Sequence, residues 1–164
     1  MAQTTNVFSI ISGSPRLEYN NTGGSTFTDC SGELVMFKLP DNERRMGETN
    51  TVDGDQPLTS AGKTQAGDLQ VIGVYTGASS GFWIDAMNSH QNGTPLYFRA
   101  YPAGSAAGRY RWSSGNNAVG SAGSTTNGAC FVKTRPVHPV DSREAGPFVY
   151  EVNVWCAGFT GGSL

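Results

Sequence analysis

Apolar residues along this chain come in short bursts separated by long polar gaps. Glu33–Leu39, "ELVMFKL", is one burst, and Pro40, which has no amide to donate to a ladder, ends it. Leu69–Thr76, "LQVIGVYT", is β-branched and apolar at odd and even positions alike, the pattern of a strand covered on both faces. Pro95–Tyr101, Arg109–Ser113, Ala129–Arg135 and Phe148–Phe159 read as further strands, and Val7–Ile11 as a short strand or docking arm. In Phe148–Phe159 the period is two: Phe148, Tyr150, Val152, Val154 and Cys156 share one face, Glu151 and Asn153 the other. Arg109–Ser113 also alternates, with Tyr110 and Trp112 opposite Arg109 and Arg111. Only residues 79–92 break this rhythm. There Phe82, Trp83, Ala86, Met87 and His90 recur at helical spacing, so Phe82, Trp83, Ala86 and Met87 are the expected core face of a helix. Ser79 or Ser80 can cap it, and Asn92-Gly93 stops it.

Six or seven strands, one helix and no internal repeat predict a single all-β domain over residues 1–164. The expected architecture is a β-sandwich or barrel of antiparallel strands with a flanking α-helix. One feature stands outside that scheme. Pro40–Asp68 holds almost no apolar residue for nearly thirty positions, and it is expected to be a long inter-strand loop, too long to serve as a connection alone.

Composition narrows the function classes. Eleven Lys and Arg against 13 Asp and Glu give a net charge of −2, without the basic excess of a nucleic-acid binder. The 22 glycines suit a domain with many turns. Cys30, Cys130 and Cys156 are widely spaced, which matches neither a zinc pattern nor a disulfide framework; buried free thiols are expected. "MAQTTNVFSI" lacks the basic and apolar regions of a secretory signal, and no run approaches membrane-spanning length, so synthesis inside the cell is expected.

No arrangement of residues carries a reaction. Asp53-Gly54-Asp55 suggests calcium, but counting from Asp53 as the first ligand puts Pro57 at the fifth position and Thr64 at the twelfth, where an EF-hand needs oxygen ligands. No metal, cofactor or catalytic residue is assigned. His90 and His138 are far apart, with no nucleophile signature beside them. The glycine-rich stretches lack the P-loop lysine and the Rossmann spacing. Tyr97, Tyr101, Tyr110 and Trp112 suggest an aromatic platform, which keeps a carbohydrate- or receptor-binding sandwich as an alternative. A capsid decoration protein is a further structural alternative.

The order of the segments carries a resemblance. "GELVMFKLP", "RRMGETNTVDGDQPLTSAGK", "LQVIGVYTG", an amphipathic helix and "PLYFRAYPAGSAAGRYRW" follow one another as in the major tail tube proteins of long, non-contractile phage tails, which are similar to contractile-tail and type VI secretion tube proteins. The resemblance covers about Glu33–Trp112. It implies a non-enzymatic virion tail subunit, made in the host cytoplasm and assembling as stacked rings, usually hexamers, around a lumen. Its implied partners are other copies of itself, tail terminator and tail tip proteins, a tape measure protein in the lumen, and DNA that passes without specific binding. The long loop implies ring-to-ring contact through Arg44, Arg45, Glu48, Asp53, Asp55 and Lys63. Glu33, Glu151 and Asn153, on polar strand faces, are the candidates for the lumen wall.

Overall fold

Alternation decides the architecture. In a computed structural model of the chain, residues 14–41, 43–49, 58–64, 67–75, 77, 79–104, 110–114, 128–136, 148–156 and 159–163 are described. The elements among them are β1 (Arg16–Asn20), β2 (Thr28–Asp29), a 3-10 turn (Ser31–Glu33), β3 (Leu34–Lys38), β4 (Arg44–Thr49), β5 (Leu58–Thr64), β6 (Gly67–Val74) and α1 (Phe82–Asn92). They continue with β7 (Tyr97–Tyr101), β8 (Tyr110–Ser114), β9 (Cys130–Val132), β10 (Val149–Cys156) and β11 (Phe159–Ser163). The described strands are mostly gathered in two antiparallel sheets, ordered β11-β8-β7-β1-β2 and β3-β6-β10-β9. The all-β expectation with one helix therefore holds.

The two sheets share one core. β6 and β10 pair over eight residues, from Val149 opposite Val74 to Cys156 opposite Gly67. Leu69 and Val71 on β6, and Tyr150, Val152, Val154 and Cys156 on β10, are buried at every second position. A slip of one residue would turn that whole set outward, so burial of one face pins the register. The other sheet contributes Leu17, Tyr19, Phe98 and Ala100 to the same core. Gly73 sits where Tyr150 needs room: a Cβ there would lie 2.5 Å from the Tyr150 ring.

α1 fills the space beside both sheets. Phe82 and Ala86 are fully buried, and Trp83 packs against the core from a half-buried position. The Phe82 ring meets Tyr19 edge-on at 5.2 Å and Phe98 at 6.1 Å. Met87 is half-buried, whereas Ser89, which the apolar pattern passed over, is buried. Gly93 ends the helix in the left-handed region at φ 66, as expected of a glycine stop.

Three expectations change. Pro40–Asp68 is not a plain loop: β4 and β5 form a two-stranded antiparallel sheet of their own, with Arg44 opposite Thr64 and Thr49 opposite Leu58. A hairpin outside both larger sheets needs no apolar stripe, so its sequence lacks the alternation that reveals a strand. Phe148–Phe159 is two strands in different sheets, because β11 leaves β10's sheet to pair with β8, and Phe148 itself is exposed. Third, Glu33 belongs to the 3-10 turn ahead of β3 rather than to a strand. The arm predicted at Val7–Ile11 lies outside the described residues.

Candidate functional site

The described residues offer surfaces rather than a cleft with reactive groups. The outer face of the β3-β6-β10-β9 sheet is open. Row by row it presents Met36, Ile72 and Glu151, then Lys38, Gln70 and Asn153, then Asp68, Trp155 and Phe131. Its polar members are tied together. Gln70 Nε2 donates to Glu151 Oε1 at 2.8 Å, Asn153 Nδ2 donates to the same oxygen at 3.2 Å, and Lys133 pairs with Asp68 at 2.8 Å. Two acids and two lysines make this face close to neutral. Trp155 and Phe131, direct partners across β9 and β10, stay exposed.

The outer face of the other sheet is covered. Glu18, Asn20, Arg111 and Ser113 are all buried there. Arg16 bridges Glu18 at 2.7 Å and Asp29 at 3.0 Å, and Tyr101 Oη donates to Glu18 at 3.2 Å. Asp29's carboxyl is affected by burial, which raises it, but amide and hydroxyl hydrogen bonds from Ser31 and the charge of Arg16 bring it below the usual carboxylate value. The Arg99 guanidinium lies 3.8 Å from the Phe27 ring centroid; burial, and then the neighbouring Arg111 charge, push its pKa down.

Two sheet margins and a groove complete the surface. In the β3-β6-β10-β9 sheet the outermost strands are β3 and β9. Val35 and Met36 on β3 are strongly exposed, and Met46 on β4 is more exposed still. An open groove of about 580 Å³ runs along β3, walled by Val35, Met36, Leu39, Pro15 and Pro102. An outermost strand with exposed apolar groups, as at β3, marks an association surface in soluble proteins. The apolar bursts were legible in the sequence, but their exposure depends on β3 being an edge.

The predicted residues distribute as follows. Arg44, Arg45 and Glu48 lie on β4 and Lys63 on β5, so the hairpin brings four of the six proposed contact residues into one two-stranded unit. Asp53 and Asp55 lie outside the described residues, as does His138. Glu151 and Asn153 do share the open face. Glu33 does not join them: its Oε2 accepts a hydrogen bond from the Phe82 amide at 3.1 Å, at the start of α1. Gly81 is the N-cap residue with φ 134 and has no side chain to cap with, so the expected serines, Ser79 and Ser80, do not hold the cap position. The aromatic platform does not assemble. Ala100 pairs with Trp112, so Tyr110 and Trp112 project to the core side of their sheet, while Tyr97 and Tyr101 project to the other. Tyr110 and Trp112 instead pack edge-on at 5.1 Å.

The three cysteines are free and buried, and burial pushes the Cys30 thiol well up. No group of three His, Cys, Asp or Glu among the described residues is placed to hold a metal ion. No helix among them is long and apolar enough to cross a membrane.

No protein-family model matches the chain, and no curated protein matches it in sequence. Its fold, in contrast, is shared with solved structures over nearly the whole length. A chain of the sheath–tube complex of the PVC extracellular contractile injection system, in its extended state, superposes with a TM-score of 0.65 at 10% identity, with 100% of both chains covered. A chain of the six-fold symmetrised anti-feeding prophage baseplate gives 0.66 at 6% identity, covering 93% of this chain and 94% of that one. A chain of the tail of an empty gene transfer agent particle, of C6 symmetry, gives 0.58 at 11% identity, covering 91% and 94%. The fold of this chain is that of subunits found in phage-tail-like and contractile injection assemblies.

Proposed function

We propose that the chain is a non-enzymatic structural subunit of a tail tube, assembling as stacked rings of six around a lumen. The observation that carries this is the end-to-end match to a chain of a sheath–tube complex, a likeness of whole fold rather than of one motif. The six-fold symmetry of two further matching assemblies supports the ring size.

The surfaces suit the role. Within a ring, the β3 edge of one copy packs against the next copy, which covers Val35 and Met36. Between rings, the β4-β5 hairpin reaches the neighbour. Its paired strands of six and seven residues extend about 20 Å at roughly 3.3 Å per residue. That is less than half of the roughly 45 Å that half of a fully extended loop would span.

The lumen wall is the open face with Asp68, Gln70, Lys133, Glu151 and Asn153. The opposite sheet's outer face is already covered, so it cannot serve. Near-neutral charge suits a channel through which DNA slides, because a wall of Lys and Arg would hold phosphates with strong salt dependence. The ends of such a tube would meet terminator and tip proteins, and a tape measure protein would fill it before ejection.

Negative-stain microscopy and sedimentation of the concentrated full chain test the proposal. Rings or tubes are expected. A monodisperse monomer under all conditions, together with source particles whose tubes lack the chain, overturns it.

A further inference from the structure

Cys130 and Cys156 are directly opposite each other on β9 and β10, and both are fully buried. The kind of pair they form follows from the neighbouring hydrogen bonds. In an antiparallel ladder the amide and carbonyl of one residue point to the same side. Both of Cys130's point away from β10: its amide donates to the Leu96 carbonyl and its carbonyl accepts from the Leu96 amide, each at 2.8 Å. Toward β10, therefore, Cys130 and Cys156 are a non-hydrogen-bonded pair. An independent contact agrees. The Lys133 amide donates to the Asn153 carbonyl at 2.8 Å, and counting back along the alternation from that hydrogen-bonded position returns Cys130 and Cys156 to the non-bonded kind.

Non-hydrogen-bonded partners stand closest in a sheet, with Cα atoms about 4.5 Å apart and side chains on the same face. That separation is within the window for a disulfide, at its short end. The thiols also interact: contact with Cys130, followed by burial, raises the Cys156 thiol well above its ordinary value.

We propose that Cys130 and Cys156 are a cross-strand redox pair that closes to a disulfide in oxidising surroundings and locks edge strand β9 onto β10. Reduced, β9 is held to its sheet by three residue pairs and to Leu96 by one bridge. Oxidised, it is covalently fixed. The oxidant is a small-molecule disulfide such as oxidised glutathione. A thiolate of the pair attacks one of its sulfurs and releases one reduced glutathione. The second thiolate then attacks the mixed disulfide, forming the Cys130–Cys156 bond and releasing a second reduced glutathione. Two protons leave the thiols and two electrons pass to glutathione, so the step balances. Because both thiols are buried, attack waits for local opening of the edge and is slow. Cys30 lies elsewhere, its thiol donating to the Leu17 carbonyl at 3.2 Å, and takes no part.

The test uses the native full chain. It is incubated with oxidised glutathione under conditions that keep its circular dichroism unchanged, then alkylated and digested with trypsin. Cleavage at Arg111, Lys133 and Arg143 separates the segments 112–133 and 144–164, which carry one cysteine each. The expected result is a cross-link between them, reversed by dithiothreitol, with Cys30 still alkylated. A Cys30→Ala variant retains the cross-link, and Cys130→Ala and Cys156→Ala lose it. Three alkylated cysteines after prolonged oxidation, a stable glutathione adduct without closure, or a cross-link to Cys30 each overturn the proposal. The wild-type peptide map decides the matter even where an alanine variant fails to fold.

Discussion

Glu33 caps a helix that begins 49 residues later: its carboxylate accepts the Phe82 amide at 3.1 Å. The first amides of a helix have no partner within it, and an anion there also meets the positive end of the helix dipole. Glu33→Ala is expected to cost about 1–2 kcal/mol of stability in urea unfolding, the usual range for a lost cap. Glu33→Gln keeps an acceptor and should cost less. Ser79→Ala and Ser80→Ala should stay within about 0.5 kcal/mol of wild type. A loss at Ser80 as large as that at Glu33 would contradict the assignment.

Tyr19 and Tyr150 are both core tyrosines, but only one is hydrogen-bonded. Tyr19 Oη donates to Asp85 at 2.6 Å, whereas Tyr150 Oη is buried with no hydrogen-bond partner among the described residues. Tyr19→Phe should therefore destabilise by about 1–2 kcal/mol, since it also leaves a part-buried carboxylate short of a donor. Tyr150→Phe should fall within about 0.5 kcal/mol of wild type or stabilise, because nothing is left unpaired. Equal losses from the two variants would count against this distinction.

The same two phenols contribute to the loss of stability in alkali. Burial first, then the Asp85 hydrogen bond, raises Tyr19; burial, then the charge of Glu33, raises Tyr150. In the unfolded chain both ionise near the ordinary value of about 10. Above that pH the unfolded state sheds protons that the folded state keeps. The two phenols' contribution is thus full below pH about 10 and falls above it, toward the raised folded values. Urea midpoints measured at pH about 8.5 and about 11 should show the drop, and the Tyr19→Phe/Tyr150→Phe double variant should reduce it.

What the sequence revealed depended on whether the cause was local. The i, i+4 spacing of Phe82 and Ala86 and the glycine at position 93 are contained in one segment, and α1 was legible from them. So was the alternation from Tyr150 to Cys156, because one buried face imposes it. The cap supplied by Glu33 was not legible, since its partner is brought near only by the fold, and two adjacent serines offered a plausible local substitute. The β4-β5 hairpin was hidden for the opposite reason: it lies outside both larger sheets, so its sequence carries no apolar stripe. In the proposed contact set, Arg44, Arg45, Glu48 and Lys63 were chosen by charge, and the pairing of β4 with β5 is what gathers them.

Gly73 gives a packing test of the interior. An added Cβ would lie 2.5 Å from Tyr150 Cζ and 3.0 Å from the Glu33 carbonyl oxygen. The ring cannot swing aside, because Tyr150 is almost fully buried on the central strand β10. Gly73→Ala should cost about 1–3 kcal/mol, the range for overpacking. Tyr150→Ala beside it should relieve the ring contact, so the two losses add to more than the double variant shows. Simple additivity would mean that the backbone contact, not the ring, sets the cost.

Reversing charge on the hairpin separates ring formation from stacking. Arg44 and Arg45 begin β4, on a two-stranded unit that lies outside both larger sheets, whereas the edge proposed for the contact within a ring is β3. Guanidinium groups bind carboxylates in pairs of parallel hydrogen bonds, so an arginine facing an acid across a contact fixes register as well as attraction. Replacing both with Glu puts like charges where opposite ones met, and juxtaposed like charges cost far more than a missing salt bridge. The Arg44→Glu/Arg45→Glu variant is therefore expected to form rings of normal diameter that stack poorly, giving short tubes or single rings by microscopy. High salt, which screens such contacts, should partly restore tube length in the variant and slightly weaken stacking in the wild type. Tubes of normal length from the variant at low salt would remove the hairpin from the stacking contact while leaving the ring contact at β3 untouched.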